Sequence, residues 1–320
     1  MLLKDNPHSF IRLIYSPEIG IGYVFISNLL ASSITFILLI PEMCIRLRLD
    51  RRLLREIIWY SFPILIVGIA GMINQNIDKI LLPRLIPANQ HPMSQLGVYG
   101  ANYKLAVLMN MFIQAFRYAF EPFFFSQVKS ENNKKGYALV LKYFVLFGLV
   151  IFLGVSLFLD LFKQLHIIDQ AYYSGLSIVP IVLLANLFLG IYYTLSLCYK
   201  LTDKTRFGAY FALIGAVISI TLNITLVPVW GYKASAVAVL VCFLVMTVIS
   251  YLVGQKYYPV KYPIGRISFY FILAMGLFFL SRLKLVNPGL QAYLFHALIL
   301  LVFIGIAVFM EKEELRKFLH

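Results

Sequence analysis

Six polar residues between positions 99 and 121 fall on one helical face. Tyr99, Tyr103, Asn110, Gln114, Arg117 and Glu121 are separated by steps of four, seven, four, three and four, and each step returns to nearly the same angle. Lys104 lies beside that stripe. An earlier stripe places Gly71, Asn74 and Asp78 on one face at i, i+3 and i+7, with Lys79 adjoining. Asn186, Tyr193 and Lys200 form a third, at steps of seven. Amides, phenols and cations gathered within apolar stretches suit the capture of a hydrophilic, anionic head group by charge-assisted hydrogen bonds, and Tyr99 and Tyr103 offer faces for sugar rings. The same residues have a structural use. Asp78 can pair with a nearby lysine or arginine, and Arg117 with Glu121 four residues on. Lys79, Arg84 and Glu121 can snorkel to an interface. With both uses open, the candidate cavity set is Asn74, Asp78, Lys79, Tyr99, Tyr103, Lys104, Asn110, Gln114, Arg117 and Asn186.

The elements that carry these stripes are long and apolar. Hydrophobic residues make up 61% of the chain and charged ones only 13%, against about half and about a quarter in a soluble domain. A bilayer core about 30 Å thick requires about 20 apolar residues per helix. Nine segments qualify: 19–40, 57–82, 96–120, 137–159, 174–197, 207–227, 232–254, 267–281 and 290–310. The eighth is short, and the second and third carry the polar stripes. The runs are continuously apolar rather than alternating, which selects helices over barrel strands. The expected class is therefore all-α: a polytopic integral membrane protein with about nine transmembrane helices. Charged groups at that depth cost several kcal/mol and face a bundle interior or a wet cavity. Pro63, Gly68 and Gly71 in the second helix and Pro180 in the fifth mark expected kinks or close helix packing.

The net charge of +14 does not indicate nucleic acid, because the basic residues sit in short loops between apolar runs. Alternate loops differ in basic content. One set carries seventeen, among them Arg46, Arg48, Arg51, Lys134, Lys204, Lys256 and Lys312; the other carries seven, including Arg84, Lys163 and Arg282. The positive-inside rule then puts the C-terminus in the cytoplasm and the N-terminus outside. The polar, mixed start at Met1–Ser16 does not resemble a cleavable signal, so an odd number of helices is expected upstream. Cys44, Cys198 and Cys242 show neither CxxC nor metal-ligand spacing, and no disulfide is expected. The five histidines are scattered, and no phosphate-binding loop, HExxH or GxSxG occurs. No metal or cofactor is expected. External loops are short, and Glu18, Asp160 and Asp169 make a poor catalytic set, which argues against an enzyme.

Several segments together resemble one family. Asn76-Ile77-Asp78-Lys79-Ile80-Leu81-Leu82 followed by Leu96-Gly97-Val98-Tyr99-Gly100-Ala101-Asn102-Tyr103-Lys104 resembles helices seven and eight of polysaccharide-export flippases. Ala115-Phe116-Arg117-Tyr118-Ala119-Phe120-Glu121-Pro122 is similar to the end of that eighth helix. Asn223, then Val227-Pro228-Val229-Trp230-Gly231-Tyr232-Lys233-Ala234-Ser235-Ala236-Val237-Ala238, resembles the family's turn between helices eleven and twelve, with Ala234 where glycine is usual. Pro17, Gly20 and Phe25-Ile26-Ser27-Asn28 look like its sixth helix. The family is the O-antigen flippase group of the multidrug/oligosaccharidyl-lipid/polysaccharide exporter superfamily. Its fourteen-helix pattern, two six-helix lobes and a C-terminal pair, implies three parts here. Residues 1–56 would hold helix six, residues 57–254 a complete six-helix transporter lobe, and residues 255–320 the final pair with a cytoplasmic tail. By that register five N-terminal helices would be missing, as expected of a truncated, mis-started or split coding sequence.

The resemblance implies flipping of an undecaprenyl-diphosphate-linked oligosaccharide across the bacterial inner membrane, by alternating access of two lobes around a hydrophilic cavity. Lys79, Lys104 and Arg117 would attract the diphosphate, and Asp78 is a candidate for ion coupling. The implied partners are the bilayer, the lipid-linked oligosaccharide and other polysaccharide-assembly proteins. The competing readings are an exporter of a peptidoglycan precursor or a drug, a membrane glycosyltransferase or polymerase, and a remnant that does not transport. A chain lacking half the cavity is expected to be inactive without the missing helices.

Overall fold

The computed structural model describes residues 19–20, 22–43, 50–126, 133–201, 206–283 and 289–319. Among these the secondary structure is helical throughout. Two compact units emerge, residues 1–60 and 61–320. The first contains α1 (Gly22–Met43) and the opening turns of α2 (Arg51–Leu85). Apolar residues surround α1 on all sides, as in a helix suited to lipid. Asp50 caps α2: its Oδ1 accepts from the backbone N–H of Arg52 at 2.8 Å and of Leu53 at 3.3 Å.

The second unit continues with α3 (Pro92–Leu105), α4 (Val107–Ser126), α5 (Asn133–Leu157) and the short α6 (Leu159–Gln164). A 3-10 stretch at Gln170–Ile178 leads into α7 (Val179–Leu201). Then come α8 (Arg206–Trp230), α9 (Tyr232–Tyr257), α10 (Ile264–Arg282) and α11 (Leu290–Leu319). Seven described segments are long and apolar enough to cross a membrane: 22–41, 134–157, 170–197, 206–230, 232–257, 264–282 and 290–312. The other two expected spans are also helical, within α2 and within α3–α4, but their polar stripes dilute the apolar content. Among the described residues, helix therefore occurs at each of the nine predicted segments, and seven of these are membrane-length apolar helices. The weak eighth segment extends to a 19-residue helix.

Two predicted irregularities take a different form. Pro180 does not kink the middle of the fifth span. It sits at the second residue of α7, where the 3-10 stretch becomes α-helix and a backbone donor is not required. The third span, by contrast, is divided at Ala106, which carries neither glycine nor proline. The backbone of α2 is helical through Pro63, Gly68 and Gly71; the side chain of Pro63 lies outside the described residues.

Small residues allow the helices to approach closely. Ala234, Ser235, Ala236 and Ala238 of α9 are buried, and α9 packs on both α7 and α8. Ser235 Oγ donates to Asn223 Oδ1 at 2.8 Å between α9 and α8, and Thr247 Oγ1 donates to the Phe188 carbonyl at 2.8 Å between α9 and α7. A Cβ at Gly190 would stand 2.3 Å from the Phe144 ring, so α7 and α5 can meet there only over glycine. The core lies among α4, α5 and α7, where Met109, Phe144, Leu149, Phe152, Val182 and Leu187 are buried.

Candidate functional site

Helices α2, α4 and α7 enclose a cavity of about 230 Å³, lined by Gln75, Asn110, Ile113, Gln114, Arg117, Tyr118, Leu189 and Tyr193. Three of the predicted residues, Asn110, Gln114 and Arg117, meet here because their three- and four-residue spacing keeps them on one face of α4. Opposite them, Tyr193 of α7 forms a platform. The Arg117 guanidinium lies over its ring at 4.6 Å from the centroid, and Gln75 Nε2 of α2 donates to its hydroxyl at 3.1 Å. Among the described lining residues, Arg117 has the one formal charge. A guanidinium presents a planar fork of N–H donors that suits carboxylate or phosphate oxygens. The cavity's volume is below the roughly 300–1,000 Å³ of a pocket for a whole small-molecule ligand. It has room for a small polar group.

Asp78, Lys79, Tyr99 and Tyr103 form a separate cluster where α2 meets α3. Asp78 is fully buried and accepts from the Tyr99 hydroxyl through Oδ2; Oδ1 has no hydrogen-bond partner among the described residues. A lysine or arginine was one expected partner, but adjacent residues on a helix point apart, so Lys79 turns elsewhere. Lys79 Nζ lies 4.0 Å from the Tyr103 ring centroid and donates to the Gln75 carbonyl at 3.3 Å and to Asn76 Oδ1 at 3.5 Å. Tyr99 and Tyr103 are tilted neighbours with centroids 5.8 Å apart.

The remaining predicted residues lie elsewhere. Asn74 is buried away from the cavity, where its Nδ2 donates to the Ala212 carbonyl of α8 at 2.9 Å. Asn186 is buried too, and its Nδ2 reaches the Ala106 carbonyl at 3.5 Å, at the α3–α4 break. Lys104 is exposed and lines neither group. The side chains of Glu121 and Lys200 lie outside the described residues. Gln75 and Tyr193 were absent from the predicted set. Their signal was present: Gln75 stands inside the Asn74–Asn76 polar run, and Tyr193 is seven residues from Asn186. No group of three or more His, Cys, Asp or Glu residues capable of holding a metal occurs among the described residues.

A polar cavity within a bundle of membrane-length helices defines a polytopic membrane protein. Residues 9–128 match the profile of the family described as polysaccharide biosynthesis protein. A solved structure, "Lipid II flippase MurJ, inward closed conformation", superposes with a TM-score of 0.61 at 15% identity, over 84% of this chain and 57% of that one. This chain thus spans little more than half the length of that structure, and the likeness is one of fold. No curated protein matches the chain. The family match falls in the polysaccharide-biosynthesis group that the sequence motifs resemble, and the structural match adds a likeness of fold.

Proposed function

We propose that the chain forms the cavity-bearing lobe of a flippase for a lipid-linked oligosaccharide of the undecaprenyl-diphosphate type, used in polysaccharide or O-antigen synthesis. The cavity among α2, α4 and α7 receives the diphosphate; the glycan extends from it, and the lipid tail stays in the bilayer. The single supporting observation is Arg117, stacked on the Tyr193 ring in a cavity that Gln75, Asn110 and Gln114 also line. On this reading the protein is a transporter, not an enzyme. It resides in the bacterial inner membrane with a cytoplasmic C-terminus, as the loop charges indicate. Residues 57–254 act as the lobe and residues 255–320 as the flanking pair, and other polysaccharide-assembly proteins work beside it.

Binding tests the reading directly. The chain in nanodiscs should bind undecaprenyl diphosphate more tightly than undecaprenol, and Arg117→Ala should weaken the diphosphate about tenfold while leaving the alcohol unchanged, a loss of about 1.4 kcal/mol. Equal binding of the two lipids by the parent chain would overturn the proposal. A second reading keeps the site and changes the glycan to that of a peptidoglycan precursor, because the solved structure that shares this fold is a lipid II flippase. Competition between lipid II and an O-antigen lipid-linked precursor separates the two. A cationic drug fits poorly beside Arg117.

A further inference from the structure

Away from the cavity, four charges and a phenol converge where α5, α10 and α11 meet. Lys142 of α5 is 1% exposed although it lies nine residues, about 13 Å, into its helix. Its Nζ donates to Glu311 Oε2 and to Glu314 Oε2 of α11. Arg266 of α10 closes the ring from the other side, with Nη1 3.1 Å from Glu314 Oε1 and 3.7 Å from Glu311 Oε2. The Tyr270 hydroxyl donates to Glu311 Oε1 at 2.6 Å. Two cations thus balance two carboxylates, and each carboxylate touches both cations. The other ion pairs among the described residues, Arg52–Glu56 and Lys163–Asp160, join neighbours on one helix. Here the pairing joins three helices.

We propose that this network is a charge-balanced clasp that docks the α10–α11 pair on α5, and that loss of any single charge undocks the pair. A buried ion pair adds little net stability over apolar packing, but removing one partner leaves an uncompensated charge in a medium that cannot solvate it. The device is therefore sensitive to charge state rather than to side-chain bulk. Two members reach the surface: the side chains of Arg266 and Glu314 are 46% and 33% exposed. Through them protons and counter-ions act on the buried Lys142–Glu311 pair. The clasp also sets an apolar groove of about 230 Å³ between α5 and α11, lined by Tyr143, Leu146, Phe147, Ile304, Val308 and Glu311 among others. Glu311 belongs to both, so undocking widens the groove.

Hydrogen–deuterium exchange of the full chain in nanodiscs tests the clasp. Lys142→Met keeps an unbranched side chain one atom shorter and removes its charge; it should cut protection of residues 264–319 about tenfold and leave α7–α9 unchanged. Adding Glu311→Gln restores neutrality and should recover most of that protection. If Lys142→Met yields no folded protein, Glu314→Gln retains the buried pair and should show the same regional loss at about threefold. A loss spread evenly over the chain, unchanged exchange at 264–319, or a double variant no better than the single one would each overturn the proposal.

Discussion

Arg117 gains its orientation from a neighbour it does not touch in sequence. The Tyr193 ring holds the guanidinium face, and Gln75 holds the ring through its hydroxyl. A cation over an aromatic face is worth about 0.5–2 kcal/mol, increasing as water is excluded. Tyr193→Phe keeps the ring and loses only the Gln75 bond, so undecaprenyl diphosphate binding should fall by no more than about threefold. Tyr193→Leu loses the face and should cost about tenfold. Equal losses in a lipid titration would show that the hydroxyl, not the ring, positions Arg117. The stripe that brings Asn110, Gln114 and Arg117 together was legible in the sequence, because helical spacing alone decides which residues share a face. Partners across helices were not. The same spacing put Asn74 and Asp78 on a stripe, yet one binds the Ala212 carbonyl and the other the Tyr99 hydroxyl. Those contacts depend on how α2 packs on α8 and α3, which no period within α2 encodes. Lys142 was missed for a related reason: a lone cation in an apolar run shows no pattern until Glu311 and Glu314 arrive from 169 and 172 residues away.

At the scale of elements, helix number and placement were readable because a bilayer demands long apolar runs. The breaks were less readable. Ala106 divides α3 from α4 without a helix-breaking residue, and its carbonyl is met by Asn186 from α7, a contact invisible locally. Gly231 is the opposite case. Between α8 and α9 its φ is 57° and ψ is −143°, a region open essentially to glycine alone. A Cβ there would also stand 2.3 Å from Gln95 Oε1, which accepts from the Tyr232 N–H at 3.2 Å. Gly231→Ala should therefore destabilise the chain by about 1–3 kcal/mol, seen as a lower melting temperature in detergent. Combining it with Gln95→Ala removes the collision but not the backbone strain, so recovery should be partial. Full recovery would place the whole cost in the side-chain clash.

For the second unit as a whole, the clasp makes stability depend on pH in a direction that can be worked out. Glu314 lies beyond the last membrane-length stretch, which ends at Lys312. Burial alone would raise its carboxyl; the hydrogen bond and charge of Lys142, joined by the charge of Arg266, outweigh this and hold it below the ordinary glutamate value. Glu311 also faces it, and Tyr143 and Tyr270 complete the surroundings on α5 and α10. A carboxyl lowered in the folded state contributes stability that is fully present above its unfolded value and lost as pH falls through the folded one. The parent chain should then hold its melting temperature through neutral pH and lose it in the acid range, as pH falls through the ordinary glutamate value and below it. Glu314→Gln, which has no proton to gain, should melt lower at neutral pH and approach the parent as the pH falls. Scanning fluorimetry of both proteins in one detergent across that range gives the difference directly. A gap that stays constant with pH would mean that Glu314 contributes by packing, and that its charge does not hold the C-terminal helices in place.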